Sequence, residues 1–453
     1  MKVLLASDLN PESVNGVIVS VLLLKEELER LGAEVKLLTL SSSFKSYVEG
    51  DVTYISSVPL NIYPDVRASA DRFSRYIDAL IDWHPDIIHS QCEFFTYSFV
   101  QRIARHCHAP IVHTYHTQYE YYTQYVLPGN WEKLLAKAMQ LRLETADVVI
   151  APTNKTRNYL LREHIGRDIR VIPTGIDLRA FRTAPNPQKL ALMREHLRIP
   201  EDARVYGSVG RIAREKNLDE VLRAHQMVLK AHPESILLLV GDGAAMEEVR
   251  QQAKDLGIWD QTRFTGMVPK KDVGDYYRLM EFFISASVSE TQGLTYIEAL
   301  ANARPVVARR DAAIDAVVVP DEDGFQFDTT EEAAADIVRL LDDDALIARL
   351  SDGAVQAVNR FDRQIFGESV YALYDEILRR DALPAVHETA LARRVARHLK
   401  EQAAASDAGK LHTTLQSQWR RLSLERDRKS HSEQKRRTKG KRKPLRGKRA
   451  HEG

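Results

Sequence analysis

Short apolar runs separated by segments of helical periodicity recur through most of the chain, and no other feature restricts its fold as strongly. Residues 3–7 (VLLAS) precede the turn-prone DLNPESVNG, and a helical pattern then runs from Val17 to Leu31 and ends at Gly32. Further buried-strand candidates fall at 35–39, 86–89, 110–114, 147–151 and 169–172. Alternation of this kind predicts an α/β fold, a mainly parallel sheet with helices on both faces. After the loop PTGIDLRAF (173–181) and the proline-containing TAPNPQ (183–188) the pattern restarts. Strands are expected at 205–210, 236–240, 263–266, 282–285 and 305–308, with helices near 217–231, 245–256, 292–303 and 331–350. Two Rossmann-like doubly wound domains follow, over 1–178 and 179–362, then a helix within 363–384 packing back toward the first. Ligands of such sheets bind outside the carboxyl ends of the strands, here facing the cleft between domains.

At 453 residues the chain is long enough for full-sized cores. No stretch reaches the roughly 18 apolar residues of a membrane span, and the apolar run before Asp8 is shorter than a signal peptide requires. A cytoplasmic location is expected. Cys92 and Cys107 form no C-x-x-C pair, so both are expected to be buried thiols. The net charge of +1 conceals an asymmetry. Residues 420–453 hold 15 Lys and Arg against 4 Asp and Glu, which leaves 1–419 near −10. Helical spacing from 387 to about 428 sets Leu411, Leu415, Trp419 and Leu422 on one face, and the polar stretch after Ser430 predicts disorder.

Chemistry concentrates in SASVSETQGLTYIEALANARPVV (285–307). Glu290 precedes a predicted helix and Glu298 lies within it. A loop entering a helix presents free N–H groups to phosphate oxygens, and a carboxylate one or two turns on can accept from sugar hydroxyls. Two acids alone would more commonly be a solvated face. They are accompanied, however, by VGRIAREKNL (209–218), which places Arg211 and Lys216 just past a predicted strand, where cations could neutralise a leaving diphosphate.

The combination of VGRIAREKN (209–217), VGDG (240–243), FTGMV (264–268) and ETQGLTYIEALA (290–301) resembles the donor domain of retaining glycosyltransferase family 4, over about residues 1–380. The resemblance implies the GT-B fold of two Rossmann-like domains. It implies that Arg211 and Lys216 hold the donor diphosphate, Glu298 the ribose and Glu290 the transferred hexose. Gly293 and Leu294 would offer backbone N–H groups, and Met267 and Val268 would lie near the base. NPESVNGVIVSV resembles the loop and first helix that approach the donor phosphate, with Gly16 in close contact. HTYHTQYEYYTQYVLPG (113–129), with His113, His116 and five tyrosines, is similar to a segment of bacterial enzymes that glucosylate diacylglycerol. His116 matches the family histidine near the sugar. A metal held by His113 and His116 is the rival reading, but an i, i+3 pair leaving a strand is a poor ligand set. The family's front-face route requires no enzymic nucleophile, and with no D-x-D string in a suitable loop, no cofactor or divalent metal is expected to be essential. Two departures stand out: ANARPVVARRDAAIDAVV has Arg304 where the family usually has Gly and lacks the Gly-Gly pair common after this strand, and the long basic extension after about 385 lies outside the family core.

The tyrosine-rich segment, the amphipathic WEKLLAKAMQLRLE (131–144) and the basic tail suit an enzyme resting on an anionic membrane. The function expected is transfer of glucose from UDP-glucose to diacylglycerol at the inner face of the cell membrane. The alternatives are a mannosyl- or galactosyltransferase acting on a phospholipid or soluble saccharide, and a catalytically silent scaffold. The tail lacks the interleaved aromatics of a nucleic-acid binder, so no specific nucleic acid is expected.

Overall fold

A computed structural model describes residues 1–12, 16–60, 67–71, 73–116, 137, 140–166, 168–182 and 186–380. The first sheet runs, in spatial order, Ile169–Val171, Val148–Ala151, Ile111–Thr114, Ile87–Ser90, Lys2–Ser7, Glu34–Leu40, Val52–Ile55 and Tyr47–Glu49. Every neighbouring pair is parallel except the last. The second sheet is parallel throughout: Thr262–Phe264, Ile236–Val240, Val205–Val209, Phe282–Ser285, Val306–Arg309 and Gly324–Phe327. This is the expected pair of doubly wound sheets.

Burial explains why the apolar runs became strands. Val3, Leu4, Leu5 and Ala6 are wholly buried, because helices cover both faces of a parallel sheet. Tyr47–Glu49, Val52–Ile55 and Gly324–Phe327 escaped the sequence reading because they are short and carry polar residues. The single helix expected over 331–350 is two, Thr330–Asp342 and Asp344–Ala357. Asp343 separates them and caps the second by accepting the backbone N–H of Leu346 at 2.9 Å. TAPNPQ ends in a helix start: Asn186 caps Pro187–His196, with proline at its first position.

The helix Arg363–Arg379 follows the second sheet in sequence but packs into the first lobe. Phe366, Val370, Leu373, Tyr374 and Ile377 share a core with Ile18, Val21, Leu24 and Leu28 of the helix Gly16–Arg30. The two crossings between lobes lie side by side, for Ile176 N donates to Phe361 O at 2.9 Å and Arg363 N to Ile176 O at 3.0 Å. Arg363 also holds Glu26 at 2.6 Å, Asp177 at 3.2 Å and the buried Glu27. A carboxylate as buried as Glu27 stays ionised only with such partners: burial raises its pKa, but Arg30 and Arg363 outweigh it and hold it below its ordinary value.

No helix of the described residues is long and apolar enough to cross a membrane. The expectations for 117–129, for most of 131–144 and for the tail from 385 lie outside the described residues. His113, Thr114 and Tyr115 are buried at 0%, 3% and 2% exposure, so the start of the tyrosine-rich segment faces the core and not a membrane, a correction with a simple cause: these residues end and follow a central strand. Because the closing helix completes the first lobe's core, Leu373→Ala should lower stability in urea by about 2–5 kcal/mol. Glu368→Ala on the same helix, at a half-exposed side chain, should leave the midpoint unchanged.

Candidate active site

Parallel strands deliver their carboxyl ends to one edge, and there the polar residues gather. Past Val205–Val209 the chain turns at Gly210, passes Arg211 and makes the short 3₁₀ turn Arg214–Lys216. Past the adjacent Phe282–Ser285 it forms the loop that carries Glu290. The two loops meet where Lys216 Nζ donates to Glu290 Oε1 at 2.6 Å. Burial pushes the Glu290 carboxyl upward in pKa, yet the charge and hydrogen bond of Lys216, with Ser287 and the charge of Lys155, reverse the balance and hold it below its ordinary value. Arg211 lies more exposed and donates to Glu215 Oε1 at 2.6 Å. Both cations thus meet carboxylates in the protein as it stands.

Glu290 leads into the helix Leu294–Ala301 through Gly293, which has φ +80°. A Cβ there would stand 2.4 Å from Tyr296 Cδ2, so any other residue meets both a disfavoured backbone and a clash. The first N–H groups of this helix have no intrahelical acceptor and add positive potential beside the Lys216–Glu290 pair. Glu298, one turn on, accepts from Tyr277 Oη at 3.0 Å. Burial dominates its environment and raises its pKa, although Tyr277 and Lys270 pull the other way. Gly241 N donates to Gly266 O at 3.2 Å, joining VGDG to FTGMV. Met267 beside this bridge is 69% exposed, whereas Val268 packs partly against the core around Ile199, Val205 and Leu238.

The first lobe supplies a second polar group. Asp8, just past Lys2–Ser7, accepts the backbone N–H groups of Phe95 and Thr96 at 3.1 and 2.7 Å, anchoring the start of Phe95–Cys107. His113 Nε2 lies 3.1 Å from Glu93 Oε1, both fully buried. His116 Nε2 lies 2.6 Å from Gln91 Oε1. Burial, reinforced by His113, pushes the His116 imidazole down to about 3, so it is neutral at pH 7. The two histidines take separate partners, and no group of three or more His, Cys, Asp or Glu among the described residues could hold a metal ion.

The lobes touch at this edge. A Cβ on Gly16 would stand 3.5 Å from Leu294 Cδ1, an ordinary contact, so Gly16 faces the helix that follows Glu290. Thr153 Oγ1 donates to Thr291 O at 2.9 Å. Gln292 is 3% exposed and clasps the backbone of Thr174, accepting its N–H at 2.7 Å and donating to its carbonyl at 2.8 Å. Arg304 sits before the strand Val306–Arg309, at the edge away from these loops, and its departure from the family pattern does not reach the site. Asp8, Gln91, Glu93, Thr153 and Gln292 went unnoticed in the sequence. Gln91 and Glu93 follow a recognisable strand and could have been found by that position, whereas nothing local marks the partners of Thr153 and Gln292.

The description Glycosyltransferase Family 4 matches residues 14–180, and Glycosyl transferases group 1 matches 191–356. Alpha-monoglucosyldiacylglycerol synthase of Streptococcus pneumoniae is 37% identical over 315 residues, 68% of this chain and 71% of the relative. The chain belongs to glycosyltransferase family 4. The enzyme of the same name from Acholeplasma laidlawii is 28% identical over 81% of this glycosyltransferase and 94% of its own length. Among solved structures, sucrose-phosphate synthase from Thermosynechococcus elongatus superposes with a TM-score of 0.66 at 21% identity, over 83% of this chain and 98% of that one. Those two domains are the GT-B fold, and the polar edge lies where it brings the lobes together. Gly293→Ala should reduce turnover of the glycosyltransferase by about tenfold to hundredfold, the scale of 1–3 kcal/mol of backbone strain. Steady-state sugar transfer measures it, with circular dichroism confirming that the variant is folded.

Proposed function

We propose that this glycosyltransferase transfers glucose from UDP-glucose to 1,2-diacylglycerol with retention of configuration. The observation that carries the acceptor and sugar is that two relatives of the same printed name match it, one along 94% of its length. The polar edge supports a division of labour. Arg211, Lys216 and the N–H groups of Gly293 and Leu294 take the diphosphate, Glu298 the ribose, Glu290 the hexose hydroxyls, and Met267 and Val268 the base. Gly16 lets the first lobe's backbone come close to the phosphates, and neutral His116, held by Gln91, faces the sugar as a hydrogen-bonding group.

In this reading the bond from the anomeric carbon to the β-phosphate oxygen breaks as the diacylglycerol hydroxyl oxygen bonds to that carbon on the same face. The hydroxyl proton passes to the departing phosphate oxygen, so no side chain serves as nucleophile. Stabilising the leaving diphosphate is the main catalytic task, and it falls to the two cations and the helix terminus. No metal is assigned a role. The enzyme works at the inner face of the cell membrane, where the basic tail is attracted to anionic lipid at roughly 1 kcal/mol per cation near the surface.

The test is transfer of radiolabelled hexose from a panel of UDP- and GDP-sugars into diacylglycerol-containing anionic vesicles, with soluble sugars as competing acceptors. Label should enter lipid from UDP-glucose, persist in EDTA and vanish in Arg211→Ala. Label only in soluble products would discard the lipid acceptor, and near-normal activity of the variant would sink the assigned phosphate role. Removal of 385–453 should weaken vesicle binding, most strongly at low salt, while sparing donor hydrolysis. Equal binding by both forms in a flotation assay would remove the tail from the account.

A further inference from the structure

Lys155 lies in the first turn of the helix Asn154–Arg162 in the first lobe, yet its ammonium is spent on the second. Nζ stands 2.6 Å from Asp311 Oδ2, 3.3 Å from the carbonyl oxygen of Glu290 and 3.5 Å from that of Val288. Asp311 follows the strand Val306–Arg309, whereas Val288 and Glu290 belong to the loop after Phe282–Ser285. One side chain therefore ties two neighbouring loops of the second lobe to the first. An ammonium has three N–H donors, and three acceptors surround this one. Both members of the ion pair are largely withdrawn from water, with side chains 19% and 7% exposed, so each relies on the other more than a surface pair would. Asp311 is itself held in place, because its Oδ1 accepts the backbone N–H of Ala313 at 2.7 Å.

We propose that Lys155 is a positioning residue that fastens the Glu290 loop to the acceptor lobe, so that the donor's hexose is gripped fully only while the lobes are together. The inference rests on Glu290 being the hexose-binding carboxylate. Lys155 hydrogen-bonds to the backbone of Val288 and Glu290 and reaches the carboxylate through its charge alone, so its grip on the site runs through the loop. Of the groups assigned to the nucleotide, Arg211, Lys216, Met267, Val268, Glu298 and the backbone of Gly293 and Leu294 belong to the second lobe, and only Gly16 comes from the first. Loss of Lys155 therefore separates sugar binding from nucleotide binding. Two further ties, Thr153 to Thr291 and Gln292 to Thr174, survive its removal and keep the lobes assembled.

The experiment is titration calorimetry of the full-length protein with UDP and with UDP-glucose, for wild type, Lys155→Met, Lys155→Arg, Asp311→Asn and Glu290→Gln. Lys155→Met should weaken UDP-glucose about tenfold, the scale of one charge-assisted hydrogen bond, and leave UDP within about twofold. Asp311→Asn should shift the same ratio in the same direction, and Lys155→Arg should restore most of it. Glu290→Gln separates the two levels of the argument. If it leaves the ratio unchanged, the reading of Glu290 fails and this inference fails with it. If it shifts the ratio while Lys155→Met and Asp311→Asn do not, only the role of Lys155 is overturned. An equal loss for both ligands in Lys155→Met would show a general structural effect and overturn it as well.

Discussion

A carboxylate withdrawn from water is held ionised most strongly by a cation delivered to it, and the Lys216–Glu290 pair provides one by topology. Val205–Val209 and Phe282–Ser285 are neighbouring parallel strands, so the loops that leave them emerge side by side. At 2.6 Å the pair, joined by Ser287 and the charge of Lys155, outweighs the burial of Glu290, and it stands at the entrance to a helix whose first N–H groups add positive potential. Gly293 makes that junction possible, because the chain must turn through positive φ within one residue of the helix. The groups proposed to take the phosphates and the sugar are thereby gathered on two short loops.

The first lobe contributes differently. Its polar residues, Asp8, Gln91, Glu93, His113 and His116, lie at or just past the ends of central strands and are bonded partly to one another and to backbone, while Gln91 Nε2 and His113 Nδ1 are buried without a hydrogen-bond partner among the described residues. What joins the lobes is polar too. Gln292, Thr153 and Lys155 each place side-chain hydrogen bonds across the junction, next to the loop that carries Glu290. Contacts of this kind depend on geometry more steeply than apolar packing does, so the form of the Glu290 loop is linked to how the lobes meet. Close to the Gln292–Thr174 clasp, Arg363 sits among Glu26, Glu27 and Asp177, where the chain crosses back to complete the first core.

Most of the fold was legible in the sequence because burial on both faces demands unbroken apolar runs, and VLLAS, ILLLV and FFIS announce themselves. Tyr47–Glu49 and Gly324–Phe327 did not, being edge strands in which polar residues are tolerated. Asp343 broke an expected helix because an aspartate that can cap reads, in periodicity alone, like any exposed position. Within the site, the Glu290 and Lys216 loops could be found from their motifs, and the structure brings the two residues into contact. Gln292 and Lys155 could not be found, since their partners lie more than a hundred residues away and no local pattern encodes that meeting. His113 was legible as unusual but not as buried, because its partner Glu93 comes from the preceding strand's end.

The central claim is that one pair of loops divides the donor between cations for the diphosphate and Glu290 for the sugar. A crystal structure with intact UDP-glucose tests it most directly. The account predicts the diphosphate within hydrogen-bond distance of Arg211, Lys216 and the Gly293–Leu294 backbone, with hexose hydroxyls on Glu290. A donor bound with its sugar turned away from Glu290, or with the diphosphate held by other residues, would contradict it.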